Sequence, residues 1–221
     1  MTLLINSCRK DQPTCHGNCA AISITGNTYI KTNNAALPNV PVEVNWFRKG
    51  YCIVCTSYKV ASGETDDNGR FDLNVTIDTT FFHDYFLSVR VPIDTNYITV
   101  SGGGGVNYNE VRFDAFHSNE LQNLKFEFYP KTYLTITLHR TLSDSFNYFS
   151  VNHNFTNEFD YADYIITGPQ YANDTTFRVT TSADIYTRIV WRKTVVAGQS
   201  NEQIDSLICT RNGTNVFDIN Y

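Results

Sequence analysis

Residues 65–77 decide the fold class, and their sequence is Thr65-Asp-Asp-Asn-Gly-Arg-Phe-Asp-Leu-Asn-Val-Thr-Ile77. The first five residues are polar and end in Gly69. Glycine reaches the positive φ angles of tight turns at no steric cost, so these residues are expected to form a turn. From Phe71 to Ile77 apolar and polar residues alternate strictly, which is typical of a β-strand with one buried face. The stretch therefore predicts a turn that leads into a strand of an antiparallel sheet.

The same alternation recurs along the chain, and no segment shows a helical period over three turns. Further strands are predicted at 22–26, 40–46, 58–60, 86–91, 97–100 and 124–128, and in the second half at 133–138, 187–193, 205–209 and 216–221. The composition agrees, because 59 of the 221 residues are Ile, Val or Thr and another 31 are aromatic, and both groups favour strands. We therefore expect an all-β protein made of antiparallel sandwiches.

The charge and the hydropathy pattern exclude two classes of protein. The formal net charge is −5, so the chain has no basic field to hold the phosphates of a nucleic acid. No apolar run approaches the roughly 18 residues of a membrane-spanning helix. We expect no nucleic-acid partner and no spanning helix.

Three motifs in the first half resemble a known family: Ile24-Thr-Gly26, Leu37-Pro-Asn-Val-Pro-Val42 and Thr65-Asp-Asp-Asn-Gly-Arg-Phe71. They are similar to carboxypeptidase regulatory-like domains of transthyretin-like topology, over residues 21–130. The resemblance implies an accessory β-sandwich without peptidase activity. A second, Ig-like sandwich is expected at 131–221, after a joint at Tyr129-Pro130, where the proline is expected to interrupt strand pairing.

The first residues, Met1-Thr-Leu-Leu-Ile-Asn-Ser-Cys8-Arg-Lys-Asp11, resemble the lipobox of bacterial lipoproteins and the start of Gram-negative outer-membrane lipoproteins. The resemblance implies that Cys8 is lipidated and that residues 1–20 are a signal remnant and a tether. It also implies an outer-membrane protein that faces the periplasm or the cell surface. The apolar stretch is shorter than the signal core of about 7–15 residues, so either Met1 is a misassigned start or the chain was trimmed.

The cysteines form two closely spaced pairs, Cys15 with Cys19 and Cys52 with Cys55, while Cys209 stands alone. Disulfides persist in the oxidising compartments that exported proteins reach, so we expect these four cysteines to form disulfides, within or between the pairs. Free thiols are one alternative. A zinc ion held by four thiolates is another.

Eight aromatic residues lie between Phe146 and Tyr171, interspersed with Asn and Asp. Exposed rings beside amides and carboxylates suit sugars, which stack their C–H faces and hydrogen-bond through their hydroxyls. About half of these rings are expected to fill the core of the second sandwich instead. The candidate ligand-binding residues are Tyr148, Tyr161, Tyr164, Asp160 and Asp163.

Catalytic motifs are absent from the sequence, since the five histidines are scattered and no nucleophile elbow occurs. We expect a non-catalytic, surface-anchored lipoprotein without a cofactor, acting as a binding, adhesion or assembly module for a glycan or a protein. One alternative is an accessory subunit of a polysaccharide-uptake system. Another is a periplasmic glycoside hydrolase with two carboxylates from region 144–163, which need to be about 5–10 Å apart.

Overall fold

The computed structural model describes the following residues: 9–11, 15, 17–50, 57–92, 94–99, 108–141, 146–156, 161–195 and 199–221. Within these ranges the chain forms strands and two short 3₁₀ turns, so the prediction of an all-β protein is confirmed. No helix in the described residues has the length and apolar character needed to cross a bilayer. The chain divides into two compact units, Met1–Asp94 with Ser101–Phe128, and Thr95–Val100 with Tyr129–Tyr221.

The first unit contains two sheets and one 3₁₀ turn, Thr79–His83. Its strands are β1 Arg9–Asp11, β2 Cys19–Ile30, β3 Pro41–Arg48, β4 Ser57–Glu64, β5 Arg70–Asp78, β6 Tyr85–Pro92, β8 Tyr108–Phe113 and the beginning of β9 Leu124–His139. The short strand β7, Tyr97–Ile98, belongs to the second unit. One sheet has the order β1-β4-β3-β6-β8. In the other, β2 pairs antiparallel with β5 and parallel with the first residues of β9.

Alternate side chains of these strands are buried and form the core of the first unit. The fully or almost fully buried ones on β3 and β6 are Val42, Val44, Trp46, Leu87, Val89 and Val91. The ring of Phe82 meets Trp46 edge-on, with ring centroids 4.8 Å apart, a favourable geometry for aromatic pairs. The alternation predicted for 40–46 and 86–91 thus faces one interior.

The second unit uses the remainder of β9 together with β7 and, in the part of the chain that the structure describes, six further strands. Its other strands are β10 Tyr148–Asn154, β11 Tyr161–Ile166, β12 Thr175–Ser182, β13 Tyr186–Thr194, β14 Ser200–Ile208 and β15 Asn215–Asn220, with a 3₁₀ turn at Pro169–Tyr171. One sheet has the order β11-β10-β13-β14. On the other side of the core, β9 lies between β12, which is antiparallel to it, and β15, which is parallel.

The last strand of the sheet β11-β10-β13-β14 is exposed along most of its length, and Leu207 is its one half-buried residue, which packs against the core of the second unit. Ile204 and Ile208 are 54% and 50% exposed, and the polar residues between them are exposed as well. The core of the second unit is formed by other strands, with Leu134, Ile136 and Phe149 at its centre. β14 is therefore held mainly by its backbone pairing with β13.

Pro130 lies inside β9, although a break in strand pairing was predicted there. β9 continues from Leu124 to His139, so that prediction is wrong. A proline lacks only the N–H, and its carbonyl still accepts a hydrogen bond from the Ala183 N–H at 2.7 Å. The boundary between the two units lies two residues earlier, between Phe128 and Tyr129.

Part of the segment predicted to be a tether takes part in strands. Arg9–Asp11 pair in parallel with β4, and β2 begins at Cys19, two residues before the predicted domain start. Cys19 is already paired with Asp78 of β5. Cys8, the predicted lipidation site, lies outside the described residues.

A buried carboxylate network links β6 and β8. Glu110 accepts a hydrogen bond from the Ser88 hydroxyl at 2.5 Å and from Arg90 Nε at 2.8 Å, while its second oxygen accepts one from Arg112 Nε at 2.8 Å. Burial alone would raise the pKa of Glu110, but these hydrogen bonds and the charge of Arg90 outweigh burial and lower it. The network therefore stabilises the first unit while Glu110 is ionised.

We predict that Glu110→Gln removes an acid-sensitive part of the stability. A lowered pKa in the folded state means that the stabilisation is present above the unfolded value of about 4.3 and is lost as the pH falls through the folded value. The substitution should cost about 1–3 kcal/mol at pH 7, and less as the pH falls below about 4.3. Urea unfolding followed by Trp46 fluorescence, in a Trp191→Phe background that leaves one tryptophan, measures this difference.

The matched control is Glu120→Gln, which removes an exposed carboxylate. It should leave the stability at pH 7 within about 0.5 kcal/mol of the starting protein. An equal loss for Glu110→Gln at pH 7 and pH 3 would contradict the role given to the ionised carboxylate.

Candidate functional site

Two buried threonine hydroxyls organise one end of the first unit. The Thr28 hydroxyl donates to the Leu37 carbonyl at 2.6 Å, and the Thr65 hydroxyl donates to the same carbonyl at 2.8 Å. Thr65 Oγ1 also accepts from the Val40 N–H at 3.0 Å. The Thr28 N–H donates to the carbonyl of Gly69 at 2.8 Å. These bonds fasten β2, the 37–40 connection and the 65–70 turn to one another, and we call them the threonine hub.

The 65–70 turn has the geometry that its sequence predicts. The Asp66 carboxylate accepts hydrogen bonds from the N–H groups of Asn68 and Arg70 at 2.9 and 2.8 Å. Gly69 has a φ of +70°, and a Cβ at this position would lie 2.5 Å from the Thr28 carbonyl oxygen. Only glycine fits here, both for its backbone angle and for the space.

A groove opens beside this turn, with a volume of about 980 Å³. That volume is within the range of small-molecule sites, roughly 300–1,000 Å³. Its walls come from β2, the turn, and the ends of β4, β5 and β9. The charged residues in the lining are Glu64, Asp66, Arg70, Asp72 and Lys125.

The charged side chains of the groove differ in whether they already have a partner. Asp66 caps the turn, and Asp72 accepts a hydrogen bond from the Ser23 hydroxyl at 2.5 Å. Within the described part of the chain, Glu64, Arg70 and Lys125 form no ion pair. The groove thus offers a carboxylate acceptor and two cationic donors to a ligand.

Of the aromatic and acidic residues proposed from the sequence, Tyr164 and Asp163 have partners within the second unit. Tyr164 stacks on Phe177, with centroids 5.2 Å apart and an interplanar angle of 11°, and packs against the core of the second unit. Tyr148 is half-buried. Tyr161 pairs with His153 through the backbone, and Asp160 lies outside the described residues. Much of the aromatic band is core, since Phe146 and Phe149 are also buried.

Asp163 is engaged with a histidine that the sequence did not single out. His153 Nδ1 lies 2.5 Å from Asp163 Oδ2, and His153 Nε2 donates to the Thr180 carbonyl at 2.8 Å. Both side chains are about 15% exposed. This pair joins β10, β11 and β12, so Asp163 has a packing partner and is not presented to a ligand as a free carboxylate.

The cysteines divide into three groups. Cys15 and Cys19 form a disulfide, with Cα atoms 5.8 Å apart, and disulfide sulfurs are not available as thiolate ligands for zinc. Cys52 and Cys55 lie outside the described residues. Cys209 is a buried free cysteine, and burial raises the pKa of its thiol. No cluster of three or more potential metal ligands occurs among the described side chains.

Comparison with known proteins does not assign the chain to a family. No protein-family model matches it, and no curated protein is similar to its sequence. Among solved structures, shaft pilin SpaA from Lactobacillus rhamnosus GG matches 91% of this chain and 98% of its own, with 10% identity and a TM-score of 0.35. The tip fimbrial protein Mfa3 from Porphyromonas gingivalis matches 84% of this chain and 81% of its own, with 6% identity and a TM-score of 0.31.

A 9R-lipoxygenase from Cyanothece PCC8801 is 23% identical over 48% of this chain, with a TM-score of 0.29, and the chain spans only 16% of the lipoxygenase. At TM-scores this low, none of these similarities carries a conclusion about function. What the structure itself defines is an all-β protein of two compact units, with several sheets and an open polar groove in the first unit.

We predict that Gly69→Ala disrupts the threonine hub. The new Cβ combines an unfavourable positive φ, worth about 1–2 kcal/mol, with a clash worth about 1–3 kcal/mol. Gly50→Ala is the matched control, because Gly50 has a φ of +92° but no atom of the described residues lies within 4 Å of the added Cβ. It should cost only the backbone part. Urea unfolding reported by Trp46 compares the two, and equal losses would contradict the close approach at Gly69.

Proposed function

We propose that the protein is a non-catalytic binding module for adhesion or assembly at a cell surface, and that the groove beside the 65–70 turn takes its ligand. The observation that carries this proposal is the groove itself, a wide polar concavity with uncommitted charged side chains. It is built on a turn that the threonine hub fixes in place. A preformed site binds with less loss of conformational entropy than a flexible one.

The charge of the groove favours a neutral ligand rich in hydroxyl groups. Glu64, Asp66 and Asp72 oppose Arg70 and Lys125, so neither sign dominates the lining. A sugar hydroxyl both donates and accepts hydrogen bonds, which suits a surface where carboxylates and cations alternate. A neutral glycan is therefore the first ligand to test, and an extended segment of protein is the second.

The location at a surface is a separate part of the proposal. Residues 7–11, Ser-Cys-Arg-Lys-Asp, support lipidation of Cys8 and an outer-membrane anchor. The disulfide between Cys15 and Cys19 supports export, because disulfides are rare in the reducing cytosol. In this proposal the first unit is a carboxypeptidase regulatory-like sandwich of transthyretin-like topology, and the second is an Ig-like sandwich.

Binding of neutral oligosaccharides tests the function. Calorimetry with the full chain should find at least one ligand in a panel of neutral tetrasaccharides of glucose, galactose, mannose and N-acetylglucosamine. Glu64→Gln and Lys125→Gln should each weaken that binding about tenfold, since each removes one charge-assisted hydrogen bond. The fold of each variant is checked by its unfolding midpoint in urea.

Glu120→Gln is the control for this experiment, because it removes a carboxylate of the same unit that does not line the groove. It should bind as the starting protein does. Binding that is equally strong in all four proteins would place the ligand elsewhere. A panel without a single bound saccharide would contradict the glycan, and extended peptides would then be screened on the same variants.

An intact mass of the protein purified from its own membranes tests the anchor. We expect a mature start at Cys8 with the added mass of acyl chains, and a loss of two hydrogens for the Cys15–Cys19 disulfide. Cys8→Ser should abolish both the acyl mass and the membrane association. A protein that retains residues 1–7 and carries no acyl mass would contradict the lipoprotein proposal while leaving the groove untouched.

A further inference from the structure

A second concavity, in the second unit, has a different chemistry from the groove. It has a volume of about 410 Å³ and lies where β9 and β12 meet the 211–214 loop. Its lining contains two arginines, Arg178 and Arg211, but no Asp or Glu. In a protein with a formal net charge of −5, such a recess is a local site of positive potential.

Three cations are gathered around this recess. The Arg178 guanidinium lies 3.7 Å from the centre of the Tyr133 ring, and Lys131 Nζ lies 5.5 Å from it. The guanidinium of Arg211 lies 5.6 Å from the ring of Tyr97. Across the residues that the structure describes, none of the three forms an ion pair. A guanidinium that stacks on a ring keeps its N–H donors available for an oxyanion.

The loop that carries Arg211 is fixed to β9. The Asn215 side-chain amide donates to the carbonyls of Tyr133 and Thr210 at 3.0 and 3.1 Å, and its oxygen accepts from the Thr210 N–H at 2.9 Å. The buried Thr132 hydroxyl donates to the Thr210 carbonyl at 2.9 Å. These hydrogen bonds fix the 211–214 loop against β9, so the recess is formed before a ligand binds.

We propose that this recess binds the oxyanion of an acidic saccharide, either a uronate carboxylate or a sulfate ester, with Arg178 and Arg211 as its direct partners. Tyr133 is 41% exposed, and the hydroxyls of Thr135 and Thr214 lie in the same lining. They offer an aromatic surface and hydrogen bonds to the sugar beside the anion. The overall negative charge of the chain disfavours a long polyanion such as a nucleic acid.

The test is independent of the groove, because it uses other ligands and other variants. Calorimetry with the full chain measures tetragalacturonate, its methyl ester, a sulfated galactan tetrasaccharide, and inorganic sulfate and acetate alone. The methyl ester keeps the sugar chain, removes the charge and adds one methyl group to each carboxylate. Arg178→Gln and Arg211→Gln test the partners, and Arg178→Lys keeps the charge but loses the planar guanidinium.

The matched control is Arg192→Gln. It also removes a positive charge from the second unit, but Arg192 pairs with Glu202 and does not line the recess. We expect at least one anionic tetrasaccharide to bind, with affinity that falls as salt rises. The two glutamine variants should weaken it about tenfold or more, Arg178→Lys should be intermediate, and Arg192→Gln should bind as the starting protein does.

The proposal is overturned if neither anionic tetrasaccharide binds, or if the methyl ester binds as tightly as tetragalacturonate. It is also overturned if the glutamine variants bind as well as the Arg192 control, or if free sulfate or acetate binds as tightly as the saccharides. The two anionic tetrasaccharides separate a carboxylate ligand from a sulfate one. Unfolding midpoints in urea confirm that each variant is folded.

Discussion

One shared acceptor, the carbonyl oxygen of Leu37, holds together the end of the first unit that carries the groove. The buried hydroxyls of Thr28 and Thr65 both donate to it, and Gly69 then has to pass so close to Thr28 that no side chain fits. A buried polar group without a partner costs about 1–3 kcal/mol, so these bonds act as a set. The walls of the groove depend on these hydrogen bonds.

Alternation of apolar and polar residues predicted many of the strands, but not every strand that alternates was predicted. Residues 71–77 alternate because one side of β5 is buried, and β5 is found at Arg70–Asp78. β10 also alternates in sequence, at Phe149-Ser150-Val151-Asn152, although all four residues are buried, and it was not predicted. β12 alternates around Phe177 and Val179 and was readable, yet it was not predicted.

The site was less predictable than the fold, because its residues are distant in sequence. The 65–69 turn could be read from Asp66 and Gly69, whereas Lys125 reaches the groove only through the parallel pairing of β9 with β2. The net charge of the chain likewise does not predict where charged side chains lie together. Arg178 and Arg211 line one recess because β9 pairs with β12 on one side and with β15 on the other. Long-range strand pairing is not encoded in any local pattern.

The exposed strand β14 bears on how identical molecules behave when they are crowded together. A strand at the end of a sheet presents an unpaired row of N–H and C=O groups, which invites edge-to-edge polymerisation. The charged residues of Ser200–Ile208 are Glu202 and Asp205, both acidic. A second copy that paired in this way would bring its own Asp205 carboxylate to the junction, while Glu202 already pairs with Arg192. Charge on an edge strand works against such pairing between molecules.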